Sequence, residues 1–184
     1  ACLDDEETEL SYVPIDPCQA VIAALRFAIA ERRERAFIDL ETGRFVDSAD
    51  VEAFDSRAAS ANPETSIAVP PELDLARLGR RSRLEKIYLV WGDDGLQRVI
   101  LPIRGEGMWS TLYGYLALDG DLNTIAAASF YEQAETPGLG DQITSAAWLD
   151  LWPGRHLYAD NGEFRFRVAE GPVAPRVHAQ RHIG

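Results

Sequence analysis

Between residues 87 and 131 the apolar residues fall in short β-rich runs separated by acidic glycine turns. Ile87-Tyr88-Leu89-Val90-Trp91 and Gln97-Arg98-Val99-Ile100-Leu101 flank Gly92-Asp93-Asp94-Gly95, and an Asp-Gly pair between such runs predicts a hairpin. Residues 111–118 and 125–131 repeat the arrangement around Asp119-Gly120-Asp121-Leu122-Asn123. Successive hairpins predict an antiparallel sheet, one face of which the preceding helices must cover. The strongest such helix opens at Pro17, capped by Asp16. Its apolar face of Val21, Ile22, Leu25, Phe27, Ala28 and Ile29 ends at Arg32, Arg33 and Arg35, cations that suit a helix C-terminus.

Ala36-Phe37-Ile38-Asp39-Leu40 reads as a strand, turned by Glu41-Thr42-Gly43-Arg44 into Phe45-Val46. Ser48 or Asp50 caps a short helix through Val51, Phe54 and Ala58, which Asn62-Pro63 ends. The proline-rich stretch 64–75 reads as a connector with little regular structure. Residues 144–152 suit a short helix with Trp148, Leu149 and Trp152 on its buried side and Gly154 at its end; residues 163–168 make a last strand. The class is α+β, an antiparallel sheet built from successive hairpins and packed against flanking helices. A single domain over 17–173 follows a loose acidic lead-in over 1–16 and precedes a tail over 174–184.

With 184 residues, 46% hydrophobic and 9% aromatic, the chain has material for one proper core. Its net charge of -12 argues against a nucleic-acid partner, whose phosphates need basic clusters. No apolar run is long enough to cross a bilayer. Cys2 and Cys18 are the only cysteines. They leave a disulfide and two free thiols equally open, and without a Cys-x-x-Cys they support neither an iron–sulfur cluster nor a zinc knuckle. Arg77, Arg80, Arg81, Arg83 and Lys86 form the one basic cluster. It reads as a solvated helical turn pairing with carboxylates, or as a docking face for an acidic partner or lipid headgroups.

Chemistry concentrates in two runs. Tyr131-Glu132-Gln133-Ala134-Glu135-Thr136-Pro137-Gly138-Leu139-Gly140 carries an apolar strand into an acidic turn. There Pro137 restricts Thr136, and the glycines allow shapes a Cβ would block. Leu139 on that loop either plugs back into the core or presents an apolar tip to a flat ligand. The second run is Arg104-Gly105-Glu106-Gly107-Met108-Trp109-Ser110-Thr111-Leu112-Tyr113-Gly114-Tyr115-Leu116-Ala117-Leu118.

Together these runs resemble the C subunit of the bacterial sodium-translocating NADH:quinone oxidoreductase, a membrane-anchored flavoprotein family with an FMN-binding domain. Glu-Thr-Pro-Gly-Leu-Gly is shared with the G subunit of the Rnf electron-transport complex. The run from Trp109 to Leu118, with Phe54-Asp55-Ser56-Arg57-Ala58-Ala59, Asn62-Pro63 and Ser66, points to the C subunit of the reductase. The resemblance extends over about residues 37–173.

It implies an electron-transfer subunit whose FMN takes electrons from an iron–sulfur centre and passes them to the next flavin. The complex couples NADH oxidation by quinone to sodium export, and the domain faces the periplasmic side of the bacterial inner membrane. The other subunits are implied partners, and a flavin transferase matures the protein. In the family the tryptophan of the second run, and the threonine and leucine of the hexapeptide, lie at the flavin; here they are Trp109, Thr136 and Leu139, with Glu135 and Gly138 as supporting cofactor-binding candidates. Such a site needs apolar surface on the ring faces, backbone donors near the pyrimidine edge and a hold on the phosphate.

The family joins FMN by a phosphoester to a threonine in Asp-Gly-x-[Ser/Thr]-Gly-Ala-[Thr/Ser]. These residues contain no such motif, so no covalent FMN acceptor is named. The family's N-terminal membrane helix is likewise not among them, and the expectation is a chain cut at Ala1 with a truncated or divergent tail. Gln133 and Ala134 stand where the family pattern has His-Gly, and Glu106 is an unusual acid between two glycines. The rival expectation is a flavin-free interaction domain of the same fold.

Other constellations are weak. His178 and His182 are four apart but lack a third ligand, so no metal site is expected. Ser110, His156 and Asp160 have no nucleophile elbow. Glu132 and Glu135 read as solvated carboxylates, and no Walker or Rossmann glycine pattern would hold NADH.

Overall fold

A computed structural model describes residues 35–40, 45–46, 53–168 and 182–183. Strands β1 (Arg35–Asp39) and β2 (Phe45–Val46) pair antiparallel, and β1 continues onto β5 (Leu84–Gly92). The two predicted hairpins follow as β5 with β6 (Gly95–Glu106), and β7 (Thr111–Asp119) with β8 (Ile125–Glu132). The sheet order is β2-β1-β5-β6-β7-β8, antiparallel throughout. The predicted α+β sheet of hairpins is therefore the architecture, and the predicted helix at 17–35 lies outside the described residues, apart from Arg35 in β1.

Strict alternation in β7 divides the sheet. Leu112, Leu116 and Leu118 are buried on one face beside Val99, Leu101, Ile87, Leu89, Ile125 and Phe130. Tyr113 and Tyr115 occupy the intervening positions and stay half-exposed. Among the described residues, the cover of the core face comes from chain that follows the sheet rather than precedes it. A 3-10 turn over Gly140–Thr144 and helix α2 (Ala146–Leu149) bring Trp148 against Phe130, and Trp152, fully buried, packs at 5.2 Å from Trp148 and 5.3 Å from Phe166. The predicted 144–152 helix is shorter than its apolar pattern, because Ser145 caps at Trp148 N–H and starts the helix late. The last strand is also shorter, β9 (Arg167–Val168), paired in parallel with β10 (His182–Ile183).

Upstream of β5 the boundaries shift. Asp55 caps helix α1 (Ser56–Ala61), accepting from Arg57 and Ala58 N–H; the expected caps Ser48 and Asp50 lie outside the described residues. The expected connector at 64–75 contains β3 (Ser66–Ala68), which pairs with β4 (Arg80–Ser82). The basic cluster is thus not a helical turn: Arg80 and Arg81 lie in β4 and Lys86 in β5, while Arg77 and Arg83 are exposed in the flanking connections. Arg80 donates to Ser66 Oγ at 2.8 Å and to the carbonyls of Ser66 and Pro63, and Arg81 donates to the Leu40 carbonyl at 3.1 Å. Both guanidiniums tie elements of the fold together.

The Trp152 indole N–H is buried without a partner among the described residues. Replacing Trp152 by Ala should cost roughly 3–5 kcal/mol in denaturant unfolding. Trp152→Phe should cost clearly less, since it removes an N–H whose burial costs about 1–3 kcal/mol while keeping an aromatic ring. Equal losses in the two variants would mean that the N–H is satisfied.

Candidate functional site

The connection between β6 and β7 and the exit from β8 meet at one carboxylate. Glu135 Oε2 accepts from Met108 N–H at 3.2 Å, and Oε1 accepts from Trp109 N–H at 3.2 Å, Ser110 N–H at 3.1 Å and the Ser110 hydroxyl at 3.1 Å. Ser110 Oγ in turn accepts from Ala134 N–H at 2.8 Å, and Gly107 N–H closes the turn on the Ser110 carbonyl at 2.7 Å. Three successive N–H groups converging on one acceptor form a small anion-holding nest. A Cβ on Gly107 would lie 2.5 Å from Glu135 Oε1, and one on Gly140 2.8 Å from Glu135 Cβ, so both positions need glycine. Burial alone would push the Glu135 carboxyl pKa up; the hydrogen bonds from Trp109, Ser110 and Met108 outweigh it and hold the pKa below the usual carboxylate value.

Thr136 folds the following loop through its carbonyl, which accepts from Leu139 and Gly140 N–H at 3.1 and 3.0 Å. Gly138 takes φ +75 there and donates to Asp141 Oδ1 at 2.8 Å. Leu139 is not a core plug: it is 71% exposed, as are Trp109 at 70% and Met108 at 77%. The two predicted runs are therefore brought together with apolar side chains outward, and the Thr136 side chain is exposed on the same loop.

The backbone donors expected for a ligand edge are engaged within the two loops, the N–H groups of 107–110 by Glu135 and Ser110 and those of 138–141 by Asp141 and Thr136. The Thr136 hydroxyl is exposed on the same loop as Leu139 and is the polar reach the hexapeptide keeps outward. Sequence reading missed Ser110, whose hydroxyl bridges the loops; its place directly before β7 in the second run was the available signal.

A second feature lies on the tyrosine face. The β5–β6 ladder runs from Gly92↔Gly95 to Tyr88↔Ile100 and stops short of Pro102, which has no N–H to donate. Beyond it opens a cleft of about 220 Å3, lined by Asp55, Ser56 and Arg57 of the Phe54-Asp55-Ser56-Arg57-Ala58-Ala59 segment and by Glu85, Arg104, Tyr113 and Tyr131 among others. Arg57 stacks on Tyr113 at 3.8 Å and pairs with Glu132 at 2.8 Å. Burial pushes the Glu85 carboxyl up to about 7, against the smaller opposing effects of the Lys86 N–H, Arg104 and the Ser56 hydroxyl.

The remaining constellations do not assemble. Glu132 and Glu135 face different partners. Ser110 precedes β7 at one end, whereas His156 bridges Thr124 beside the β7–β8 turn at the other. His178 lies outside the described residues. Among the described residues, no group of three or more His, Cys, Asp or Glu is placed to hold a metal ion, and no helix is long and apolar enough to cross a membrane.

The model of the FMN-binding domain family matches residues 107–179, a span that contains both loops. The C subunit of the Na+-translocating NADH-quinone reductase of Pseudomonas aeruginosa is 43% identical over 79% of this chain, and that of Vibrio alginolyticus 41% over 93%. The chain spans 56% and 65% of those relatives' own lengths. The crystal structure of Shewanella oneidensis NqrC superposes with a TM-score of 0.73 at 35% identity, covering 90% of this chain and 79% of that one. The C subunit of the same reductase from Parabacteroides distasonis gives 0.57 at 25%, covering 90% and 75%.

Two outcomes test this geometry. Glu135→Gln should speed amide exchange at Met108, Trp109 and Ser110 while Leu116 in β7 stays protected. In the unsubstituted chain the same three amides should lose protection as the pH falls through the depressed Glu135 pKa, since the ionised form is the one the loops hold. Unchanged exchange in the variant would remove the clamp.

Glu85 acts in the opposite sense. Its folded pKa near 7 exceeds the ordinary 4.5, so the folded state binds more protons between those values and stability falls as pH rises through that window, levelling above it. The loss should approach roughly 3 kcal/mol at most, and Glu85→Gln should flatten it in urea unfolding followed from pH 4 to 8.

Proposed function

Since the chain belongs to the NqrC family, the C subunits of the Na+-translocating NADH-quinone reductase, we propose that it is an FMN-carrying electron-transfer domain of such a complex. The carrying observation is the Glu135 clamp, which fixes two loops whose large apolar side chains, Met108, Trp109 and Leu139, stand in solvent. Exposed apolar side chains on rigid loops suit a flat aromatic ring, and a Cβ at Gly138 would meet nothing within 4 Å, so the loop leaves that side open. Bound FMN would supply electron acceptance and donation.

The chain's own residues bind and orient. Trp109 and Leu139 offer surfaces for the ring, the Thr136 hydroxyl offers a hydrogen bond at its edge, Gly138 gives room, and Glu135 positions the first two by holding their loops. The phosphate has no holder in this set, and these 184 residues contain no Asp-Gly-x-[Ser/Thr]-Gly-Ala motif. In our reading electrons come from an iron–sulfur centre and leave to the next flavin, on the periplasmic side of a sodium-exporting complex, after a flavin transferase has attached the FMN. The names of the relatives support the C subunit of the reductase over the Rnf G subunit.

Intact mass of the denatured protein from its native host is the test. The expected mass exceeds that of the translated gene by one FMN less water. A bare mass would remove covalent FMN and favour the interaction domain. In the flavin-loaded protein, Trp109→Ala should raise flavin emission severalfold by removing a stacked indole, and unchanged emission would take Trp109 away from the ring.

A further inference from the structure

The apolar loops at the clamp have a third neighbour. Between β3 and β4, the Asp74 side chain accepts from Leu78 N–H at 2.8 Å and Gly79 N–H at 2.7 Å, while Leu73 N–H returns to the Pro70 carbonyl at 2.9 Å and Val69 N–H to that of Gly79 at 3.0 Å. Arg77 takes φ 52 inside it. The loop is fixed by its own hydrogen bonds, yet it holds Leu73 64% and Leu75 54% exposed. It is also tied to the clamp: Glu106 N–H donates to the Ala76 carbonyl at 2.9 Å, at the end of β6 that leads directly into Met108 and Trp109.

Five of the nine large hydrophobic side chains exposed among the described residues therefore sit on three loops joined in series by the Ala76–Glu106 bond and the Glu135 clamp: Leu73, Leu75, Met108, Trp109 and Leu139. Apolar side chains gathered this way on rigid loops mark an interaction surface.

We propose that Leu73 and Leu75 extend the clamp's apolar surface into a docking site for a redox-partner protein whose contact face is apolar and rimmed with basic residues. The inference rests on the flavin reading for the partner's redox role. Charge selects the occupant. Glu72 and Glu106 are exposed beside these loops, against Arg77 as the cation on the same loop, and the whole chain carries 30 acidic to 18 basic residues. That field repels anionic lipid and a second copy, and attracts a basic rim.

The test places a benzophenone amino acid at position 73 of the full-length chain in the assembled complex within native membranes, with position 90 as control. Val90 is exposed near the β5–β6 hairpin, at the opposite end of β6 from Glu106. Irradiation should give an adduct with a peptide of another subunit from position 73 and not from 90, and Glu72→Lys with Glu106→Lys should lower its yield at least fivefold. An adduct with phospholipid or a second copy, no adduct, or a yield indifferent to charge reversal would overturn the proposal. Flavin content is read by mass on the same sample. A flavin-loaded chain without adduct sinks the docking site alone, and an adduct from a flavin-free chain overturns the redox role given to the partner.

Discussion

Everything proposed for this domain depends on one ionised carboxylate satisfying a turn that no secondary structure satisfies. The 107–110 segment leaves the β6–β7 ladder with successive N–H groups pointing the same way, and such donors are costly to leave unpaired. Glu135 supplies an acceptor-only group with room for all of them, which an amide could not do without turning donors of its own toward donors. Its depressed pKa records the same preference as electrostatics. Because Glu135 sits just beyond β8 and the turn just before β7, two strands paired in one sheet set the distance the carboxylate must span, and Gly107 and Gly140 remove the Cβ atoms that would obstruct it.

The two faces of the sheet divide the work. Leu112, Leu116 and Leu118 commit one face to the aromatic cluster around Trp152, which gives the strands a rigid backing. The other face carries Tyr113, Tyr115 and Tyr131, with the last two at 5.3 Å, and opens into the cleft beyond Pro102. There Arg57 joins α1 to β7 and β8 by stacking on Tyr113 and pairing with Glu132, three residues before Glu135. The Asp55-Ser56-Arg57 run thus has a structural reason to accompany the clamp: it braces the strand end from which the second loop departs.

How much of this was legible in the sequence follows from how local each signal is. The hairpins were, because an Asp-Gly turn and period-two alternation act within a dozen residues. Helix starts were less so: Asp55 caps α1, while the expected caps Ser48 and Asp50 lie outside the described residues. The arginine cluster was misread because its partners are carbonyls 14 to 41 residues away, which spacing cannot reveal. Bringing the two loops together was legible only through the family resemblance. The Glu135 clamp itself was not, since a glutamate followed by Thr-Pro-Gly reads like any solvated acid until the β6–β7 turn is set beside it.

The clamp also constrains how a flavin in this site would be tuned. An acid near the ring ordinarily favours the less negative, oxidised state, but the Glu135 charge is shared among four donors of the loop that holds it, so its field beyond the turn is muted. Glu132 is likewise paired with Arg57, although both side chains are about half-exposed and solvent weakens that pair. With the loop N–H groups engaged too, little fixed polarity is left to favour a reduced, negatively charged ring. Potential in such a site is then governed by what covers the exposed apolar faces and excludes water from them, because the same charge is harder to add in a drier surrounding. On the proposed flavin and docking readings, docking and redox tuning would be one event at this surface, since a partner seated over Trp109 and Leu139 would alter the potential of the group it exchanges electrons with.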